Sequence, residues 1–179
     1  MWAGALGVAV LVATGIIGWP FLVEQYYIHR LASSDETIRV EAVDRLSWLK
    51  SAKAVPLLSN RLISLQDTVD PTGMIDGRLE AGHISSALQE IGRPAIPALL
   101  KIAVEADEPL AVHAVEVLKV LYGQPFCGPI KSRRDPDWWR CARDFLNWIV
   151  EREEDVRIRE LAADALKETE SFTHAGTPR

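Results

Sequence analysis

The chain has 179 residues, of which 48% are hydrophobic and 25% are charged, which is enough for one globular domain with a core of its own. Its net charge of −5 argues against broad nucleic-acid binding, because phosphate backbones are bound by basic surfaces. Its two cysteines are too few for a disulfide scaffold or a four-cysteine zinc site.

The first predicted element is a membrane-spanning helix. Residues 2–23, WAGALGVAVLVATGIIGWPFLV, contain no charged side chain. As a helix they would extend about 33 Å, against a hydrocarbon core of about 30 Å. We therefore predict a single-pass membrane protein with residues 1–23 as a transmembrane signal anchor. The aromatic residues predicted to lie at the membrane interfaces are Trp2, Trp19, Tyr26 and Tyr27.

Two alternatives remain for this segment. A cleaved signal peptide normally has a basic start and a shorter apolar run, whereas no Lys or Arg precedes this run. A buried core helix is rarely apolar on all sides over such a length. Arg30 and Arg39 follow the run, so the positive-inside rule predicts that the rest of the chain lies in the cytoplasm.

Three later segments share one helical pattern. Residues 38–46 (IRVEAVDRL), 110–118 (LAVHAVEVL) and 158–166 (IRELAADAL) each place an apolar residue, an alanine and a leucine four residues apart. This spacing puts the three side chains on one helix face, and the alanine lets a neighbouring helix approach closely. An aspartate stands three residues before each segment, where it can cap a helix start. These aspartates are Asp35, Asp107 and Asp155.

A second pattern marks a second helix in each unit. Residues 54–58 (AVPLL) and 95–99 (AIPAL) carry a proline in the expected first turn, where its missing N–H costs no hydrogen bond. First helices are predicted at 36–50, 79–91 and 108–122, and second helices at 54–66, 95–106 and 136–152. A short amphipathic helix at 21–32 precedes them, and a last helix at 156–168 follows. Residues 169–179 are predicted to be a disordered tail.

The segments IRVEAVDRLSWLKSAKAVPLL and ALQEIGRPAIPALLKIA resemble HEAT repeats, most closely the short HEAT-like repeats of the phycobilisome-lyase type. The resemblance covers about residues 24–168 and implies an all-α fold. The expected architecture is a HEAT-like α-solenoid of helix pairs, preceded here by a single transmembrane helix. HEAT repeats serve many unrelated proteins, so the resemblance implies a fold and leaves the function open.

The third repeat contains an insertion at residues 123–135, where the other repeats join their helices with few residues. Insertions in solenoids lie on loops, so we predict a surface loop here. Basic and aromatic side chains concentrate in it and just after it, and they are predicted to contact a partner; the alternative is a solvated face that neighbouring aspartates partly neutralise. The candidate contact residues are Lys131, Arg133, Arg134, Trp139 and Arg140.

The two cysteines, Cys127 and Cys141, flank the basic part of this insertion. They can form a disulfide if the domain faces an oxidising space. Otherwise Cys141, beside the core stripe of its helix, is expected to be a small buried side chain. The stripe comprises Trp138, Ala142, Phe145 and Ile149, and Trp148 is also expected inside.

No catalytic, cofactor-binding or metal-binding pattern stands out in the sequence: the four histidines are scattered, and no Gly-rich phosphate loop occurs. We predict a membrane-anchored HEAT-repeat scaffold or adaptor that binds a membrane-associated protein partner, without a cofactor and without nucleic acid. Such a scaffold could also be an accessory subunit of a membrane complex. The alternative is a HEAT-like lyase or chaperone-type enzyme that acts on a protein-bound cofactor.

Overall fold

The structure, a computed structural model, describes residues 19–65, 78–106, 110–125 and 136–175. These residues form eight α-helices and no β-strand, so the predicted all-α class is confirmed for this part of the chain. Helix α1 occupies residues 19–30 of the described chain. The others are α2 (Glu36–Trp48), α3 (Val55–Ser64), α4 (Arg78–Ile91), α5 (Ile96–Glu105), α6 (Leu110–Leu121), α7 (Pro136–Arg152) and α8 (Val156–Ala175).

The helices lie where the periodicity predicts them, with differences at their ends. The largest difference is in α8, whose backbone stays helical to Ala175, seven residues beyond the predicted end at 168. Residues 169–175 are therefore helical where a disordered tail was expected. The physical reason is that the first helix-breaking residues after α8 begins are Gly176 and Pro178.

Predicted aspartate caps start two of the helices. The Oδ1 atom of Asp35 accepts a hydrogen bond from the Thr37 amide at 2.8 Å, and Oδ1 of Asp155 accepts one from the Arg157 amide at 2.9 Å. Each bond satisfies an amide that has no partner within its helix. These two caps are confirmed, whereas Asp107 lies outside the described residues.

The same two helix starts share a second local arrangement. Nη1 of Arg39 donates to the backbone carbonyl of Ser33 at 2.8 Å, and Nη1 of Arg159 donates to the backbone carbonyl of Glu153 at 3.2 Å. In both cases the arginine reaches back six residues across the entry to its helix. The two sites lie 120 residues apart, so the same kind of contact occurs at the starts of α2 and α8.

Helices α2 and α6 also end alike. Lys50 and Gly123, which follow them, have φ angles of 53° and 64°. The next amide in each case donates to the carbonyl five residues back: Ser51 to Leu46 at 3.0 Å, and Gln124 to Lys119 at 2.8 Å. This is a left-handed C-terminal cap, which glycine adopts without the steric cost that a side chain brings. It reverses the chain after each helix.

The helices contact one another in succession. Helix α2 contacts α4, which also contacts α3 and α6, while α5 contacts α3, α6 and α8, and α7 lies against α8. The predicted interhelical positions are buried: Ala42, Leu46, Leu88, Ala114, Leu118 and Ala162. Leu166 is half-buried. The predicted stripe on α7 is buried as well, although Trp148 at its margin is only half-buried.

The predicted membrane span lies mostly outside the described residues, which begin at 19. Within the described ranges, no helix combines the length and the apolar character needed to cross a bilayer. Among the predicted interface aromatics, Trp19 and Tyr26 are exposed on α1, whereas Tyr27 packs partly buried against the core. Trp2 lies outside the described residues.

Candidate functional site

A groove with a volume of about 720 Å³ lies between α3, α5 and α8. Its walls come from α3, α5 and α8, so residues far apart in sequence form one continuous surface. The groove-facing residues include Pro56, Asn60 and Ile63 on α3, Pro97, Ala98, Lys101 and Glu105 on α5, and Leu161 and Asp164 on α8.

The groove combines an apolar floor with a charged rim. Pro56 and Pro97 stand in the first turns of α3 and α5, where their rings add apolar surface without leaving an unbonded amide. Lys101 and Glu105 form an exposed ion pair at 3.6 Å on the rim. Such a pair contributes only about 0–1 kcal/mol to stability, so its partners can exchange at low cost. Protein-binding surfaces commonly have this anatomy.

Sequence reasoning identified the helices of the groove but not the groove itself. The prolines of α3 and α5 signalled two helices with equivalent starts. No pattern indicated that α8 would lie against α5, because that contact depends on how the chain folds back after α7. The sequence feature that pointed toward the groove was the repeated proline, since it indicated that α3 and α5 begin alike.

A second surface contains the predicted contact residue Arg140. A cleft of about 330 Å³ lies between the end of α6 and the first half of α7, and its lining includes Lys119, Arg140, Asp144, Phe145 and Trp148. Arg140 is exposed, and Trp139 is a residue of helix α7. The other predicted residues, Lys131, Arg133, Arg134 and Cys127, lie outside the described residues.

Aromatic rings form the floor of this cleft. The ring centroids of Phe145 and Trp148 lie 6.3 Å apart in a stacked arrangement, and Tyr122 meets both rings edge-on at 6.0 and 5.5 Å. Cations flank the cluster: Nζ of Lys119 lies 5.5 Å from the Phe145 centroid, and the guanidinium carbon of Arg152 lies 5.7 Å from that of Trp148. Rigid aromatics beside arginine are typical of binding hot spots.

Cys141 lies at the edge of the cleft and is disulfide-bonded. Nζ of Lys119 donates a hydrogen bond to Sγ of Cys141 at 3.1 Å. Lys119 is only 6% exposed, and burial lowers the pKa of its ammonium group. Cys127, the other cysteine of the sequence, lies outside the described residues.

Glu153 is a buried carboxylate at the far end of α7, with a side chain that is 2% exposed. It accepts hydrogen bonds from the Tyr122 hydroxyl at 2.5 Å, from Nη2 of Arg93 at 2.6 Å and from the Asp155 amide at 3.1 Å. Burial by itself would raise the pKa of Glu153, but these hydrogen bonds outweigh burial and lower the pKa to about 2. The carboxylate therefore ties α6 and the turn before α5 to the α7–α8 connection.

Glu80 plays a comparable part at the other end of the domain. Its buried carboxylate accepts paired hydrogen bonds from Arg39 on α2, at 3.0 and 2.8 Å, and from Arg61 on α3, at 2.9 and 3.1 Å. Burial would raise the pKa of Glu80, but the hydrogen bonds and charges of both arginines lower it to about 2. Structural ion pairs perturb pKa values as catalytic sites do, and these contacts are those of a structural tie.

Within the described ranges, no group of three His, Cys, Asp or Glu side chains is placed to hold a metal ion. The two strongly perturbed carboxylates bond to neighbouring helices and to the connections between them, and neither lines the groove. The concave surfaces of the described residues include the groove and the cleft. No protein-family model, curated protein or solved structure matches this chain.

Proposed function

We propose that the chain is a membrane-anchored adaptor, built of HEAT-like helix pairs, that binds a protein partner in the groove between α3, α5 and α8. The groove itself carries this proposal. Its 720 Å³ volume, its apolar floor and its exposed ion pair suit a segment of a partner protein. Stacked helix pairs present extended surfaces of this kind without any catalytic group.

Two features support a HEAT-like solenoid for residues 24–168. One is that α2 contacts α4 and α4 contacts α6, while α3 contacts α5. The other is the pair of matching helix starts at Arg39 and Arg159, which are 120 residues apart and make the same backward contact. Recurrent local contacts at fixed offsets are expected when a chain repeats one supersecondary unit.

The membrane anchor is supported by the charge-free run of residues 2–23, which leads directly into α1. The large side chains Trp19, Leu22 and Tyr26 of α1 are exposed, and they lie three and four residues apart on one helix face. A bilayer interface would cover such a face, because aromatic side chains with polar edges favour that depth.

Cys141 provides a way to determine which side of the membrane the domain occupies. Disulfides persist in oxidising compartments, so the bonded state of Cys141 favours the non-cytoplasmic side of the membrane. Arg30 and Arg39 predict the opposite, cytoplasmic, side. We expect a maleimide to label protein from its native membrane only after denaturation with a reductant. Labelling after denaturation without reductant would instead favour the cytoplasmic orientation.

The groove is tested by filling it. Ala98 is half-buried in the groove on α5, so Ala98→Arg should obstruct a partner there. A partner is first identified by mild-detergent affinity purification and mass spectrometry, and its affinity for purified variants is then measured. We expect a loss of about tenfold or more, equivalent to about 1.4 kcal/mol.

Ser86→Arg is the matched control for this groove variant, because Ser86 is exposed on α4, outside the groove. It adds the same side chain to a helix surface of the same domain. Equal affinities for Ala98→Arg, Ser86→Arg and the wild type would contradict the groove as the binding surface.

The basic insertion is tested by charge reversal. If the candidate contact residues bind an acidic partner, Arg133→Glu with Arg134→Glu should weaken association and reduce its salt dependence, because steering by these charges is lost. Arg140→Glu, on the exposed edge of the cleft, should act in the same direction. Arg157→Glu, an exposed arginine on α8, is the control.

Normal binding by the double variant together with a melting temperature several degrees lower would show that these arginines are structural. The insertion would then be only a connection between α6 and α7, and the groove would be left as the sole candidate surface.

A further inference from the structure

Helices α1 and α2 run antiparallel, so the end of α2 lies near the start of α1. Near the end of α1, Nη2 of Arg30 contacts Oε2 of Glu41 in the middle of α2 at 3.0 Å. Nearer its start, Glu24 accepts hydrogen bonds from Ser51 at 2.7 Å and from Lys53 at 2.9 Å. The turn that follows α2 therefore lies against the part of α1 closest to the charge-free segment.

Large apolar side chains are exposed at this end of the domain. Trp48, the last residue of α2, is 76% exposed, and Trp19 at the start of the described part of α1 is 69% exposed. Phe21 and Leu22 are also exposed, and Nζ of Lys53 lies 4.7 Å from the centroid of the Phe21 ring. A tryptophan this exposed gains little from folding, and exposed apolar side chains that form a patch mark membrane or protein contacts.

Residues 44–53 carry three exposed cations and one exposed anion, Asp44, which pairs with His83 at 2.7 Å. Arg45, Lys50 and Lys53 are exposed on α2 and on the turn after it. On the neighbouring elements, the carboxylate of Glu24 pairs with Lys53, and the carboxylate of Glu90 accepts a hydrogen bond from Ser47. The Lys50 ammonium donates to the Glu90 carbonyl. Tryptophan among lysine and arginine is the composition of a segment at lipid headgroup depth.

We propose that residues 48–53 form a second membrane contact, in which Trp48 enters the headgroup layer of the bilayer that the N-terminal segment spans. This proposal rests on the membrane anchor of the proposed function. The bilayer is the expected occupant because the charge-free residues 2–23 enter the domain through α1, directly beside this turn. Two contacts, one at α1 and one at Trp48, would hold the domain at a fixed angle to the membrane.

The test uses the full chain reconstituted into phosphatidylcholine–phosphatidylglycerol vesicles, with and without bromine on the acyl chains near the headgroups. Bromine quenches only those tryptophans that reach the lipid. The contribution of Trp48 is the fluorescence difference between wild type and Trp48→Phe. The control is the same difference for Trp148→Phe, because Trp148 is half-buried in the α6–α7 cleft.

We expect brominated lipid to remove most of the Trp48 contribution and to leave the Trp148 contribution unchanged. Vesicle flotation of the same samples separates the two proposals. Flotation with an unquenched Trp48 would overturn the second contact and leave the anchor intact, and another occupant would then cover Trp48. Failure of the wild-type chain to float with vesicles would overturn the anchor and this inference together.

Discussion

Replacing Glu80 with alanine is expected to lower the free energy of unfolding by about 3–5 kcal/mol, the usual cost of removing one partner from a buried ion pair. The Glu80 side chain is 1% exposed, and its two oxygens receive four hydrogen bonds from Arg39 and Arg61. Without the carboxylate, Arg39, which is 12% exposed, keeps its charge but loses this counter-charge. Arg61 is 40% exposed and can turn toward water, so the lower end of the range is expected.

Chemical denaturation of the detergent-solubilised chain, followed by tryptophan fluorescence, measures this change. Glu160→Ala removes an exposed glutamate from α8 and should alter stability by less than about 0.5 kcal/mol. Domains of this kind are stable by about 5–15 kcal/mol, so the Glu80 effect should be a large fraction of the total. A loss below about 1 kcal/mol would mean that the tie contributes little net stability, as some buried ion pairs do.

The second large effect is expected from acid. Stability should fall as the pH drops from about 4.5 to about 2, because Glu80 and Glu153 have pKa values of about 2 instead of the ordinary 4.5. In this window the unfolded chain binds protons that the folded chain does not, so lowering the pH favours unfolding. Above pH 4.5 the stabilisation by both carboxylates is fully present, and below pH 2 it is lost.

The size of the acid effect follows from about 1.4 kcal/mol for each unit of pKa difference. For each carboxylate the upper value is roughly 3.5 kcal/mol. The exposed guanidinium groups of Arg61 and Arg93 reduce it, since solvent screens their attraction. Glu153→Gln removes one of the two groups, so the slope of stability against pH in this window should fall by roughly half.

Glu154→Gln is the control for the acid experiment, because Glu154 is the exposed neighbour of Glu153 and shows no comparable contact in the described part of the chain. Stability is measured by denaturant titration at several pH values between 2 and 6. An unchanged slope for Glu153→Gln would mean that other carboxylates dominate the acid response.

Helix positions and buried faces could be predicted from the sequence because they depend on local periodicity. The alanine and leucine of each repeated segment, such as Ala42 and Leu46, recur at the spacing of one helix face, and that face is buried. The caps at Asp35 and Asp155 are equally local, since each aspartate bonds an amide two residues away. The end of α8 was missed, because polar composition predicts disorder even where no residue breaks the helix.

For the candidate site, the sequence indicated Arg140 and the insertion, through an unusual concentration of basic and aromatic residues. It did not indicate the groove, whose walls at Pro56, Ala98 and Leu161 come from three separate helices. No local pattern reports which exposed face of one helix will stand opposite another.

The sequence by itself therefore determined the helices, their apolar faces and the charge-free N-terminal run. Only the tertiary structure decided that Glu80 would meet Arg39, 41 residues away, and that Ser51 and Lys53 would lie beside Glu24 of α1. It also decided the contact between α5 and α8 that completes the groove. The physical reason is that side-chain periodicity depends on neighbours within one helix turn, whereas long-range pairing depends on how whole helices pack and on which polar groups must be satisfied when they do.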